Sequence, residues 1–319
     1  MRDRCLMAPK AFLFPGQGSQ EIGMGADLTG RDRFTDSLFE LAGDLVHENL
    51  AALCAGGPLR RLLLARYLQP ALVTVCLGYW NRLREKGIAP DVVAGHSLGE
   101  ITSLAAAGIV SPEDCLRIAV RRGELMDEVA SSCDGGMMAV MFVPFETVES
   151  ILEELSDRER IVLANDNAPD QIVLSGDTSL LQQVAAIISS RKLGKWRKVD
   201  VIGPWHSPFM NKARDIFSNW VERIPFSVPS VPLLCNATAT VEKDPEVIRR
   251  LVTDQLVQPV YWRACMGYLK SMGVNTLLEI GPQRILSGLA RINGFKKGVV
   301  LYNISSLSGI DRIMAAPVS

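Results

Sequence analysis

The sequence predicts an α/β protein, with a large domain around a parallel sheet interrupted by a small domain that has an order of its own. Three observations carry that expectation. Short apolar runs that read as strands alternate with amphipathic stretches that read as helices, as in parallel sheets joined by helical crossovers. Residues 130–202 break into a separate βαββαβ succession. The 319 residues are 48% apolar and 22% charged, enough to bury one large core and a smaller second one.

In chain order, Lys10-Ala11-Phe12-Leu13-Phe14 is a first buried strand, stopped by the turn Pro15-Gly16-Gln17-Gly18-Ser19. Helical patterning then runs on to a second strand, Asp91-Val92-Val93-Ala94-Gly95, and a helix of small residues follows from Leu98 to Ala107. Ser111 is placed to cap the next helix, with Pro112 at its first position and Glu113 and Asp114 in its first turn. Within 130–202 the strands read as 137–143, 161–164, 171–175 and 196–201, with helices at 146–155 and 179–190. That order is the split pattern of a ferredoxin-like domain. The larger pattern resumes with Ser207 read as a cap and Pro208 as the first residue of a helix. That helix carries Phe209, Ala213, Ile216, Phe217 and Trp220 on one face. The expected domains are therefore 1–129 with 203–319, and 130–202, with a ligand cleft between them.

Composition excludes several functions. No run approaches the roughly 18 uninterrupted apolar residues of a membrane span. The start Met1-Arg2-Asp3-Arg4 is followed by a stretch broken at Pro9, Lys10 and Pro15, which does not read as a leader. A net charge of -1 argues against nucleic-acid binding by bulk charge. Seven scattered cysteines and three histidines argue against a disulfide framework or structural zinc, and for buried thiols in a cytoplasmic protein.

Gly95-His96-Ser97-Leu98-Gly99 matches G-x-S-x-G between a strand and a helix, the context in which a serine is raised on a tight turn as a nucleophile. The helix start offers unpaired N–H groups to an oxyanion, that of Leu98 among them. The serine needs a base. His96 is its neighbour, and adjacent side chains at a sharp turn diverge. His47, between Asp44 and Glu48, reads as a surface residue. His206, beside a helix start that favours its neutral form, is left as the base, with a structural histidine as the alternative. On the helix from Pro112, Arg117, Arg121, Glu124 and Glu128 form a solvated stripe, whereas Arg122 falls on the apolar face with Cys115, Ile118, Ala119, Met126 and Val129. A guanidinium there needs an anionic partner. Either a structural carboxylate supplies it, or Arg122 clamps the carboxylate of a substrate. The loop Phe14-Pro15-Gly16-Gln17-Gly18-Ser19-Gln20 lacks the spacing and lysine of a phosphate loop and is better placed to give a second oxyanion donor.

The loop from Phe14 and the serine segment, extended to Gly95-His96-Ser97-Leu98-Gly99-Glu100, resemble the malonyl-CoA:acyl carrier protein transacylases of fatty acid synthesis and the acyltransferases of polyketide synthases. The series continues with Arg122-Gly123-Glu124-Leu125-Met126, Asn167-Ala168-Pro169-Asp170-Gln171 and His206-Ser207-Pro208. It ends with Gln255-Leu256-Val257-Gln258-Pro259-Val260 and Glu279-Ile280-Gly281-Pro282, and so spans nearly the whole chain. The resemblance implies an α/β-hydrolase-like large domain with a ferredoxin-like insert. It implies Ser97 as the acylated nucleophile, His206 as base and acid, and Gln255 orienting His206 through its carbonyl. Gln17 and Leu98 would form the oxyanion hole, Arg122 would grip the malonyl carboxylate, and Met126 and Asn167 would join it in binding substrate. Trp205, which immediately precedes the base, either lines the acyl pocket and limits branching beside the thioester or turns away into the domain interface. Malonyl-selecting synthase domains resemble His-Ala-Phe-His where this chain has Gly203-Pro204-Trp205-His206, a departure that bears on acyl choice.

The implied reaction is ping-pong transfer from malonyl-CoA to the phosphopantetheine thiol of an acyl carrier protein, with no bound cofactor or metal, by a discrete enzyme. The basic run Arg191, Lys192, Lys195, Arg197 and Lys198 is either a docking patch for the acidic carrier protein or a solvated face. Rival readings are a hydrolase that clears carrier proteins, a transferase for an unusual acyl or extender unit, and a module that only binds carrier proteins.

Overall fold

A computed structural model describes residues 9–315. Residues 1–8, where no leader is expected, lie outside it. The large sheet contains β1 (Lys10–Phe14) and β2 (Val92–Gly95), and the small sheet contains β3 (Gly135–Met141), β4 (Ile161–Ala168), β5 (Gln171–Asp177) and β6 (Lys195–Lys198). The chain then returns to the large sheet with β7 (Leu233–Leu234), β8 (Val241–Glu242), β9 (Thr276–Ile280) and β10 (Val300–Ile304).

The large sheet has the order β10-β9-β1-β2-β7-β8. Its strands are parallel from β10 to β7, and only β8 runs against its neighbour, so the sheet is mixed. β1 and β2 are buried along nearly their whole length, as expected of strands covered on both faces. Register sets Phe14 beside Gly95 and Leu13 beside Glu279. The loops after β1, β2 and β9 therefore leave the same edge of the sheet side by side, where open α/β sheets bind ligands.

The small sheet is antiparallel throughout, in the order β4-β5-β3-β6, and its elements follow one another as β-α-β-β-α-β. Alternation along the strands divides its faces. Met138, Val140, Ile172 and Leu174 pack under the helices Phe145–Glu153 and Thr178–Ser190. Met137, Ala139 and Val173 turn to the main core.

Several boundaries differ from expectation. The strand expected at 161–164 runs on to Ala168, still paired with β5 across two register shifts, and from the large part Val260 donates to the Ala164 carbonyl (2.9 Å) and accepts from the Asp166 N–H (2.9 Å). That pairing fastens the small sheet to the large part. The strand expected at 196–201 is Lys195–Lys198, and the helix from Pro112 continues to Ser132, past the expected boundary at 129. Ser111 does cap that helix, accepting from the Asp114 N–H. Ser207 does not cap: its hydroxyl donates to the Pro204 carbonyl, a 3₁₀ turn Pro208–Met210 follows, and the α-helix starts at Asn211. On that helix Ala213 and Phe217 are buried, while Ile216 is exposed.

Among the described residues no helix is long and apolar enough to cross a membrane, and no three His, Cys, Asp or Glu side chains gather as a metal site. Cys54, Cys76, Cys115, Cys235 and Cys265 are buried free thiols, and Cys133 is half-buried.

Candidate active site

Ser97 sits between β2 and the helix Leu98–Ala106 at φ 50° and ψ -106°, a backbone state that L-residues rarely adopt. The flanking glycines permit it. A Cβ on Gly95 would lie 1.9 Å from the Gly99 carbonyl carbon, and one on Gly99 would lie 1.9 Å from the Phe14 carbonyl oxygen. Asn236 holds the bend from outside, its Oδ1 accepting from the Ser97 N–H (2.8 Å) and its Nδ2 donating to the Gly95 carbonyl (2.7 Å). The N–H groups of Leu98 and Gln17 have no protein acceptor among the described residues. Gln17 reaches the site because Gly16 passes so close to the elbow that a Cβ there would lie 2.3 Å from the His96 carbonyl oxygen.

His206 Nε2 is 2.8 Å from Ser97 Oγ. Its Nδ1 is 2.7 Å from the Gln255 carbonyl and 3.2 Å from that of Gln258. Carbonyls only accept, so Nδ1 carries the proton and Nε2 is free to take one from the serine. Gln255 follows the helix Pro245–Asp254, whose closing turn is paired, with the Leu251 carbonyl accepting from the Gln255 N–H and that of Asp254 from the Val257 and Gln258 N–H groups. Burial, and then the nearby Arg122 charge, push the His206 pKa down to about 3, so the resting imidazole is neutral. His96 diverges as expected, its Nε2 meeting Asn167 Oδ1 at 2.8 Å, and His47 is exposed at the end of the first helix.

Arg122 is 1% exposed. The helices Ala65–Glu85 and Pro112–Ser132 cross tightly beside it: a Cβ on Gly123 would lie 2.4 Å from the Ala65 carbonyl oxygen, and Asp127 accepts from the Ala65 and Arg66 N–H groups. That crossing brings Gln69 to Arg122. The expected alternative of a structural carboxylate is not realised among the described residues. Arg122 donates instead to the Gln69 and Gln255 amide oxygens (3.0 Å each), Met126 Sδ (3.2 Å) and Ser97 Oγ (3.2 Å), and its Nε has no partner. Burial lowers its pKa to about 10, against the pull of the nearby Glu100 charge, which leaves it charged, and its hydrogen bonds go to neutral groups.

A cleft of about 200 Å³ opens over the serine and the imidazole, while Arg122 lies behind them and does not line it. Ser97, His206, Met126, Asn167 and Trp205 all line it, with the Gln17 loop opposite. Trp205 is 4% exposed, and its ring lies against Gly203, where a Cβ would be 2.4 Å from Cη2. The basic run does not form one patch. Arg197 faces this cleft, Lys198 faces a second hollow on the other side of β6, and Arg191 is paired with Glu154.

A family model described as an acyl transferase domain matches residues 11–298. The chain belongs to that family. The malonyl CoA-acyl carrier protein transacylase of Bacillus subtilis is 34% identical over 286 residues, which are 89% of this chain and 90% of that protein. A crystal structure of malonyl-CoA:acyl carrier protein transacylase from Xanthomonas oryzae matches at TM-score 0.90 and 32% identity, covering 97% of this chain and 98% of that one. A malonyl-transacylase in complex with its type II PKS acyl-carrier protein matches at TM-score 0.90 and 29% identity, over 97% and 99%.

In this acyl transferase domain, Gln69, Glu100 and Asn236 also reach the site, although sequence reasoning gave them no role. Asn236 sits in a segment with no periodic signal to mark it. Gln69, a polar residue inside the apolar run Leu68-Gln69-Pro70-Ala71-Leu72, and Glu100, which closes the resembling segment around the serine, could have been noticed.

Proposed function

We propose that the protein moves a malonyl group from malonyl-CoA to the phosphopantetheine thiol of an acyl carrier protein through an acyl-serine, in fatty acid or polyketide synthesis. The observation that carries the malonyl assignment is Arg122, buried and charged, without a carboxylate partner, 3.2 Å from Ser97 Oγ. His206 Nε2 takes the Ser97 proton as Oγ bonds to the thioester carbon, and the Gln17 and Leu98 N–H groups receive the oxyanion. The carbon–sulfur bond then breaks, and the CoA thiolate takes the proton from His206. The carrier thiol attacks the acyl-serine by the same steps in reverse order. The Gln255 carbonyl keeps Nδ1 protonated throughout. A malonyl carboxylate against Arg122 also neutralises a charge that depresses His206, so binding the right acyl group strengthens the base. Met126 and Asn167 shape the acyl site, and Trp205 lies along its wall.

We further read the large part (1–129 and 203–319) as an α/β-hydrolase-like domain and 130–202 as a ferredoxin-like one. The strand–serine–helix elbow supports the first reading and the β4-β5-β3-β6 order the second. The enzyme works in the cytoplasm, where acyl-CoA is made, and uses no bound cofactor.

The test is to weigh the intact protein after incubation with malonyl-CoA or acetyl-CoA. Wild type gains one malonyl, and Ser97→Ala gains none. Arg122→Ala loses malonyl loading relative to acetyl by about ten- to a hundredfold, the worth of a charge-assisted hydrogen bond. Equal loading of both acyl groups by wild type would sink the malonyl reading. Release of malonate to water faster than transfer to a carrier protein would favour a hydrolase.

A further inference from the structure

Glu100 is 2% exposed, on the first turn of the helix that follows Ser97, and it bonds to neither the serine hydroxyl nor the imidazole. Its Oε1 accepts from the Asn236 N–H (2.8 Å), and its Oε2 accepts from Gln255 Nε2. Through Asn236 it braces the elbow. Through Gln255 it reaches further, because that residue's backbone carbonyl holds His206 while its amide oxygen holds Arg122.

We propose that Glu100 is a positioning residue for acyl selection: its acceptor-only carboxylate sets which way the Gln255 amide points, and so holds Arg122 on the serine.

The amide of Gln255 has two ways round. As found, its nitrogen meets two acceptors, Glu100 Oε2 and the Ser97 carbonyl (3.0 Å), and its oxygen meets the donor-only guanidinium (3.0 Å). Reversed, its N–H groups would face Arg122 and its oxygen would face a carboxylate and a carbonyl, so all three contacts would be repulsive. Glu100 contributes the charged member of this set, and buried hydrogen bonds to ions are the strong ones. It does so without pairing with Arg122, whose ends go to Gln69, Gln255 and Ser97, so the guanidinium charge stays open to a ligand. Burial raises the Glu100 pKa to about 7, against the pull of its N–H donors and Arg122, so the acceptor-only form prevails at pH 8.

An isosteric amide at this position keeps its oxygen on the Asn236 backbone N–H, which cannot turn, and so presents its own N–H to that of Gln255. Either that contact stays unsatisfied, or Gln255 turns over and sets its own N–H against Arg122. Size and chemistry therefore make opposite demands. A packing role tolerates Glu100→Gln and suffers from the shorter Glu100→Asp, whereas an acceptor role does the reverse.

The inference rests on the malonyl reading, and one experiment separates their failures. Initial rates of acylation by malonyl-CoA and acetyl-CoA are measured at pH 8 for wild type, Glu100→Gln and Glu100→Asp, with melting temperatures alongside. Glu100→Gln should lower the malonyl-to-acetyl ratio about tenfold, mainly through a higher KM for malonyl-CoA, as expected for misaiming one charge-assisted contact. Glu100→Asp should keep the ratio nearer to wild type, whatever its overall rate. An unchanged ratio in Glu100→Gln, including a common fall for both acyl groups, overturns the inference. If that variant does not fold, Glu100→Asp decides: a ratio near wild type supports the acceptor role, and a tenfold fall refutes it. A wild type with no malonyl preference would overturn the underlying reading instead.

Discussion

Replacing His206 with Ala should slow self-acylation by about 10²-fold or more, the usual loss with a general base, while His47→Ala should leave it unchanged. The two side chains differ in every relevant respect. His206 is buried with both ring nitrogens engaged, and His47 is exposed at a helix end. Equal losses in a single-turnover assay would reject His206. Trp205 carries a second prediction at this scale. Its ring closes one wall of the cleft and is backed by Gly203, so it has little room to retreat from an α-methyl group. Packing discriminates one methyl by about 1–3 kcal/mol. Trp205→Ala should therefore raise methylmalonyl loading against malonyl by about tenfold or more when the two thioesters compete. An unchanged ratio would remove Trp205 from acyl selection.

At the scale of elements, the site depends on close backbone approaches that only glycine allows. The elbow helix comes off β2 against β1, and a Cβ on Gly99 would lie 1.9 Å from the Phe14 carbonyl oxygen. Gly99→Ala should cost about 1–3 kcal/mol as the helix is pushed off the sheet, and it should lower self-acylation as well. Gly267 is the contrast. It lies inside the helix Trp262–Ser271, and a Cβ there would meet nothing within 4 Å, so Gly267→Ala should stabilise by about 0.5–1 kcal/mol. Urea unfolding of both variants checks the pair, and shifts of the same sign would contradict the argument. The elbow was legible in the sequence because this constraint is local: five residues state it. The cap at Ser111 was legible for the same reason. Ser207 shows where that reasoning stops, since the same Ser-Pro pair is used to tie a turn to the Pro204 carbonyl.

For the molecule as a whole, the buried titratable groups set how stability depends on pH. Burial and Arg122 lower the pKa of His206 from 6.5 to about 3, so the unfolded chain takes up a proton that the folded one refuses. Its contribution is present above 6.5 and is lost as pH falls toward about 3. Glu100 acts with the opposite sign. Raised from 4.5 to about 7, it contributes stability below 4.5 that is lost as pH rises through about 7. The two oppose each other where their ranges overlap, and below 4.5 the loss from His206 is no longer offset by Glu100 and adds to that of His96, whose pKa burial also lowers. Urea midpoints from pH 7 down to pH 3.5 should fall less steeply for His206→Gln than for wild type. Identical slopes would show that His206 is not held neutral by the fold.

By itself the sequence determined what depends on neighbours in the chain. It determined the alternation that makes an α/β protein, the strand–serine–helix turn, and the helical period that puts Arg122 on an apolar face. Elimination among three histidines then left His206. Only the tertiary structure decided how those parts are wired. Arg122 meets two amides and no carboxylate because Gly123 lets two helices cross closely enough to bring in Gln69. Strand β4 runs past Ala164, carrying Asn167 to the cleft, because β5 pairs with it as far as Ala168 and Val260 bonds to it from far along the chain. The basic run is divided between two faces because a strand alternates its side chains, so closeness in sequence did not make one surface. Periodicity and backbone sterics act over a few residues and can be read from them. A buried polar group takes whatever partner the packing of distant elements brings within hydrogen-bond reach, and Glu100, Asn236 and Gln255 meet only once the fold has closed around them.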